Sequence, residues 1–404
     1  MRRWQRIQQP WRRWDESRLR RNLSVYIHVP FCLRRCGYCD FLSFSPQQRP
    51  AGLTPQSYAE TLHAEIAARA ALAQRLYAPA GRRVDSVFFG GGTPTCLAPD
   101  ALCGVIRGVL AQFPLADGGV EVTVEANPDT LTPQYLEALH AAGVNRLSIG
   151  VQATQPHCLA FLGRTHRWRG IEPVLQAVAR GPIRRFSFDL IYAVPRLTDA
   201  ELRESVERLL TLGAEHLSAY ELTVEPDTKL GAWARQFPRQ AATVETAVRQ
   251  QHVVERTLAG YGLYRYEVSN YARPGAECRH NLRYWRGGDY IGLGLGAASR
   301  IGREVVNNSR DFAGYQLAVS GAGSGEGPLA SAYALAYSSG QDTAPPADAF
   351  LKLRTRAGIP ASLAGAAGAQ WLQRLWVKPQ RGMVAITSGG LNFAELLARQ
   401  TNAD

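Results

Sequence analysis

The sequence predicts an α/β protein in which a parallel sheet curls into a three-quarter barrel of six βα units, with a small α+β domain behind it. Three observations predict this. Short apolar runs alternate with helically periodic stretches from Ser24 to Leu222, and such alternation builds a parallel sheet with right-handed crossovers. Six units are too few for a closed eight-stranded barrel. Residues able to do chemistry gather where the runs end, which is where barrels of this kind place their sites.

Taken in order, residues 1–22 form a basic arm, with eight arginines against Asp15 and Glu16. Trp4, Ile7, Trp11 and Trp14 recur at helical spacing, so the arm reads as an amphipathic helix for an anionic membrane, as a solvated arm, or as a transit peptide. The barrel is assigned to 23–235. Its strands are read at Ser24–Val29, Ser86–Phe89, Val120–Glu125, Arg146–Gly150, Arg185–Ile191 and His216–Leu222. Helices are read at Tyr58–Tyr77, Pro99–Gln112, Pro133–Ala142, Ile171–Arg180 and Thr198–Leu212, several opening on a proline suited to a first turn. Residues 236–312 form a segment that covers the barrel, beginning with one long helix over Gln236–Gly260. The stretch 313–346 is small and unpatterned and reads as a linker. Residues 347–404 carry helical pieces and a strand-turn-strand from Met383 through Gly389-Gly390 to Phe393.

The chemistry begins at Cys32-x3-Cys36-x2-Cys39, directly after the first strand and Pro30. Thiolates are soft ligands for iron–sulfur clusters and zinc. A [4Fe-4S] cluster takes four protein cysteines as a rule, so three leave one iron open. Structural zinc wants four ligands, commonly in two close pairs, and Cys96, Cys103, Cys158 and Cys278 stand singly and far away. Gly90-Gly91-Gly92-Thr93-Pro94 follows the second strand. Such a loop is either an ordinary turn or a backbone cradle for a ligand. Glu125 ends the third strand and can accept hydrogen bonds from hydroxyl or ammonium groups, or serve as a plain surface acid. Arg164 can hold a carboxylate bidentately. Asp189 lies within its strand and must face the lumen to take part. Tyr26 and His28 share one strand face, and His28 is as readily a packed core residue as a ligand.

These stretches together resemble the radical S-adenosylmethionine (SAM) superfamily. The residues are Tyr26-Ile-His-Val-Pro-Phe-Cys32 with Cys36, Cys39 and Phe41, then Gly90–Pro94, Glu125-Ala-Asn-Pro128, Ser148-Ile-Gly-Val-Gln152, Leu162-Gly-Arg-Thr-His166, Asp189-Leu-Ile-Tyr192 and His280-Asn-x-x-Tyr284-Trp285. More narrowly, they resemble the oxygen-independent coproporphyrinogen III oxidase group and its heme-chaperone branch, over about Ser24 to Gly302. The resemblance implies a partial radical SAM barrel with a small winged-helix-like C-terminal domain. It implies a [4Fe-4S] cluster on Cys32, Cys36 and Cys39, with SAM on the open iron and reductive cleavage of its sulfonium as the accessible chemistry. Tyr26, Gly91, Gly92, Thr93 and Glu125 are implied to hold one SAM, and Gln152, Arg164 and Asp189 a second. In the heme-chaperone branch the His280, Tyr284 and Trp285 motif is associated with heme. There His280 would be an axial ligand, Cys278 a competing one, and Arg279 or Arg283 would meet the propionates. The other reading has these aromatics plugging the barrel.

Two departures separate chaperone from oxidase. Oxidases of the group carry a further cysteine two residues after the triad, where Phe41 stands here. They also have a longer N-terminal preface than this arginine-rich arm. Both favour a carrier that transfers heme to a recipient such as a respiratory cytochrome. The alternative is the oxidase, which decarboxylates two propionates of coproporphyrinogen III. The electron donor is not legible. The net charge of +12 is almost entirely arginine, with lysine only at 229, 352 and 378. It reflects either codon usage or an anionic partner: propionates, a lipid surface or nucleic acid. An enzyme acting on RNA draws on that charge alone, and no nucleic acid is expected. Seven cysteines without disulfide-like spacing fit a reducing, cytoplasmic setting. No apolar run reaches the length of a membrane span, and no signal peptide is readable.

Overall fold

The computed structural model describes residues 22–77, 79, 81–302 and 304–321, together with Thr355, Ile359–Pro360, Val377–Gln380 and Met383–Ile386. The arm, most of the linker-like stretch and the helical pieces of the C-terminal domain lie outside the described residues.

Six parallel strands make the barrel wall: β1 (Asn22–Val29), β2 (Arg83–Gly91), β3 (Glu121–Ala126), β4 (Arg146–Gln152), β5 (Arg185–Tyr192) and β6 (His216–Glu221), hydrogen-bonded in that order. Side chains alternate across a strand. In β1, Leu23, Val25, Ile27 and Val29 are fully buried in the main core. Tyr26 and His28 take the opposite, lumen face, where Tyr26 stacks on Phe88 of β2 with ring centroids 6.4 Å apart. The crossover helices are α1 (Pro55–Tyr77), α2 (Pro99–Gln112), α3 (Pro133–Ala141), α4 (Pro156–Leu162), α5 (Trp168–Arg180) and α6 (Asp199–Leu210). Proline opens α2, α3 and α4, where a missing N–H loses nothing. Thr198 and Glu201 form a reciprocal capping box at α6.

After β6 come α7 (Lys229–Gln236) and α8 (Val244–Gly260), then β7 (Tyr264–Arg265), β8 (Asn270–Ala272), α9 (Arg279–Trp285), β9 (Tyr290–Leu293), β10 (Ala298–Ile301), β11 (Glu304–Asn307) and α10 (Phe312–Gly321). β9 pairs parallel to β1, while β8 pairs antiparallel to β6. The segment after residue 236 therefore lengthens the sheet at both ends, giving the order β11-β10-β9-β1-β2-β3-β4-β5-β6-β8-β7. Buried Glu65 of α1 fastens the β9 side. It accepts from Gly294 N (2.7 Å), Asn308 Nδ2 (2.7 Å) and Tyr315 Oη (2.7 Å).

Short α9 closes the barrel floor. The carboxylate of Glu121, at the start of β3, accepts from the backbone N–H of Arg279 (2.8 Å) and His280 (3.2 Å), a favourable place for an anion at a helix N-terminus. Arg283 donates to Asn22 O (2.8 Å) and pairs with Asp85, both side chains 1% exposed. Asn22, Asp85 and Glu121 all sit at the N-terminal ends of their strands.

Three expectations change. α4 and α7 are helices that the periodicity did not suggest. The helix expected over Gln236–Gly260 begins at Val244. Pro238 lacks an N–H and disfavours helical geometry before it, and Thr243 caps the restart by accepting from Thr246 N (3.3 Å). The stretch read as linker from 313 opens as α10, whose Phe312 and Tyr315 pack on Tyr58 of α1. In the C-terminal part, Met383–Ile386 (β14) pairs antiparallel with the preceding Val377–Gln380 (β13) and with Ile359–Pro360 (β12). The expected return strand after Gly390 lies outside the described residues.

Candidate functional site

The cysteine loop leaves the top of β1 and is tied down from several sides. Phe44 N donates to Pro30 O (2.8 Å) and Cys32 N to Phe44 O (3.1 Å), which pins its two ends together. From inside the barrel, His28 Nε2 donates to Leu42 O (2.8 Å), and its Nδ1 accepts from Tyr26 Oη (3.1 Å). Both ring nitrogens are thus engaged, and His28 is a packed anchor with its pKa lowered by burial. At the loop's centre Gly37 N donates to Leu162 O at the end of α4 (3.2 Å), and Gly37 O accepts from Leu230 N in α7 (2.8 Å). The two unforeseen helices therefore cradle the loop.

Cys32, Cys36 and Cys39 are free and half-buried. Burial raises the Cys32 thiol and pushes Cys39 up to about 11. Arg164 Nη1 donates to Cys36 Sγ (3.5 Å), and Thr93 Oγ1 lies 3.9 Å from Cys32 Sγ. Asn127 links these two contacts: its Nδ2 donates to Thr93 Oγ1 (2.9 Å), and its Oδ1 accepts from Arg164 Nη2 (2.7 Å). Among the described residues no three His, Cys, Asp or Glu side chains converge as ligands of a single metal ion.

The glycine loop does something other than offer free amides. Gly91 N donates to Glu125 Oε2 (3.2 Å), Gly92 N to Val29 O (2.9 Å) and Thr93 N to Phe31 O (2.6 Å). The expected amide cradle is replaced by close packing. A Cβ on Gly91, which sits at φ +109°, would fall 2.4 Å from the His28 ring, and one on Gly92 would fall 2.6 Å from Phe31 O. The glycines let β2 run flush against the root of the cysteine loop.

Glu125 and Asp189 face the lumen as an acid pair. Burial, with the charge of nearby Asp189, pushes Glu125 up to about 8. Burial pushes Asp189 up to about 6, against hydrogen bonds from Ser218 and Ser148 and the charges of Arg146 and Arg164. Ser148 Oγ is 3.2 Å from each Asp189 oxygen. Gln152 sits at φ +70° just after a register shift between β4 and β5, an unusual backbone for a residue with a side chain. Arg164 Nη2 also donates to Gly150 O (2.6 Å), while its buried Nε has no partner among the described residues. Thr93, Arg164 and Cys36 thus form one connected set at the mouth, and Gly91, Glu125 and Asp189 another just inside. Tyr26 lies deeper, over the floor.

His280 and Tyr284 are brought to that floor, away from the cysteines. His280 is 1% exposed; its ring stacks on Phe88 with centroids 5.0 Å apart, and its nitrogens lie 3.3 Å from Ser86 Oγ and from Tyr284 Oη. Burial lowers its pKa to about 3. Cys278 is 2% exposed against Glu121, and Arg283 is engaged with Asp85. Trp285 is half-buried in the last turn of α9. The cavity above them measures about 140 Å³, below the ~300 Å³ at which pockets for drug-sized ligands begin. His280 and Tyr284 pack across the barrel floor, the second of the two readings of this motif.

The radical SAM superfamily model matches residues 26–209. The heme chaperone HemW of Mycobacterium tuberculosis is 38% identical over 85% of this chain and 84% of its own length. The chain belongs to the HemW family. HemW of Escherichia coli is 37% identical, covering 69% of this chain and 70% of that one. A bovine mitochondrial radical SAM domain-containing protein 1 is 37% identical over 69% of this chain and 60% of its own. In three dimensions the coproporphyrinogen III oxidase HemN of Escherichia coli superposes with a TM-score of 0.74 at 22% identity, covering 95% of this chain and 91% of that one. That likeness establishes a shared radical SAM fold.

Asn127 and Ser148 stand inside motifs quoted from the sequence of this HemW-family chain but were given no role there, and the α7 residues were not singled out. A signal existed for the first two. Ser148, Ser187, Asp189 and Ser218 put polar residues on one face of otherwise apolar strands, and Asn127 stands in the loop directly after Glu125's strand.

Proposed function

We propose that this chain binds heme and transfers it to a recipient protein, and that it carries a [4Fe-4S] cluster with SAM at the mouth of its barrel. The observation that carries this reading is the likeness to heme chaperones along most of both chains. Phe41, 63% exposed at the position where the oxidases have another cysteine, supports the carrier over the decarboxylase.

The residues fit the cluster. Cys32, Cys36 and Cys39 would each ligate a different iron, so they have no need to converge on one point. The N–H of Arg164 and the hydroxyl of Thr93 already address two of the sulfurs, as groups around a thiolate site do. When bound, the cluster and SAM supply one-electron chemistry, and the protein's part is to hold and enclose them. Gly91, Gly92 and Thr93 form the wall beside Cys32 against which the amino-acid end of SAM would rest. Glu125 can receive its ammonium, and a cation there favours the ionised acid. Gln152, Arg164 and Asp189 can address a second SAM. Tyr26 braces this wall through His28.

A respiratory cytochrome is the proposed recipient. Peripheral membrane contact through the basic arm at 1–22 and a cytoplasmic location complete the proposal. Free cysteines throughout the described residues support a reducing setting, and none of the described helices is long and apolar enough to cross a membrane. The test is anaerobic: reconstitute the cluster, add SAM and reductant, and offer heme or coproporphyrinogen III separately. Stoichiometric heme uptake and transfer without decarboxylation is the expected result; decarboxylation would identify an oxidase instead.

A further inference from the structure

A groove outside the barrel runs between the cysteine loop, α4 and α7. Its wall is apolar and aromatic: Tyr38, Leu162, Leu230, and Phe161 packed edge-to-face on Trp233 with centroids 4.8 Å apart. Arg34, Arg35 and Lys229 stand exposed at its rim, and among the described residues no carboxylate lines it. The volume is about 240 Å³.

We propose that this groove seats a planar, carboxylate-bearing tetrapyrrole of the heme type, an inference that rests on the heme-carrier reading. The chemistry is complementary. An aromatic wall takes the ring face, and two guanidinium groups and an ammonium take the ring's carboxylates, arginine by a two-point fork. The cavity above His280 is smaller, at about 140 Å³, and has the carboxylate of Glu125 in its lining. The groove itself falls short of the ~300 Å³ at which ligand-enclosing pockets begin, so it covers part of the ring and leaves an edge in solvent. A handover to a second protein needs that exposed edge. Among the described residues no His, Cys or Met lines the groove, so the ring is held by face and carboxylates rather than through its metal.

The test uses the full chain with its cluster reconstituted. It is titrated with heme, metal-free protoporphyrin IX and protoporphyrin IX dimethyl ester. The first two should bind with similar affinity and the ester at least about tenfold more weakly, tenfold corresponding to about 1.4 kcal/mol. Trp233→Ala should weaken heme and protoporphyrin by about tenfold or more. So should Lys229→Glu, an exposed substitution that leaves the packing alone. His280→Ala should leave affinity unchanged, with cluster absorbance and circular dichroism as fold controls. Wild-type affinity in both groove variants, or loss of heme with His280→Ala alone, places the heme elsewhere and overturns the groove while the carrier reading stands. A wild-type protein that takes up no heme overturns the carrier reading itself.

Discussion

Glu125→Gln should remove a buried titration and change how stability depends on pH. Glu125 rises from 4.5 in its ordinary environment to about 8 in the fold. Between those values the folded chain keeps a proton that the unfolded chain has released. Stability therefore falls as pH rises, by about 1.4 kcal/mol per pH unit, and about 5 kcal/mol accumulates across the interval. Asp189 acts with the same sign, but only up to about pH 6. Burial lowers the pKa of His28, His216 and His280, and these titrate equally in both forms, so they cancel in the difference. From pH 6 to 8 the variant should gain about 3 kcal/mol on the wild type, or roughly 3–4 °C in melting temperature for a chain of this size. The assay is thermal and urea denaturation of cluster-free protein by circular dichroism across that range. Ligand-free protein is required because bound ligands stabilise by mass action. Parallel curves for the two proteins would mean that Glu125 ionises like a surface acid, and the buried acid pair would be refuted.

Asp85→Ala strands the Arg283 charge under α9 and should cost about 3–5 kcal/mol; adding Arg283→Met should restore much of it, as a double-mutant denaturation series would show. Gly92→Ala pushes a methyl into Phe31 O and should cost about 1–3 kcal/mol, read as a lowered melting temperature together with poorer cluster retention on gel filtration. Alanine at Cys32, Cys36 and Cys39 together should abolish the brown cluster absorbance after anaerobic reconstitution with the fold intact; a retained cluster would refute the ligand assignment.

The six strands of the wall and most of their helices could be read from the chain because their signals are local. The alternation in Val25-Tyr26-Ile27-His28-Val29 is complete within five residues, the cysteine spacing within eight, and the prolines that open helices act at single positions. Where local signals compete, reading fails. Pro238 and Thr243 split one apparent helix, and the small residues after Phe312 hid α10, which packing on Tyr58 holds in place.

By itself the sequence determined the barrel, the cysteine triad and the order in which polar residues reach the strand ends. Only the tertiary structure decided what those residues face. Glu121 meets the amide of Arg279 across 158 positions, and Ser86 meets His280 across 194, which turns the histidine motif into a floor. The raised pKa of Glu125 comes first from burial and then from Asp189 on another strand, and the glycines answer to a histidine and a phenylalanine far back in the chain. Distances of that kind arise from packing between segments, and no periodicity within a segment encodes them.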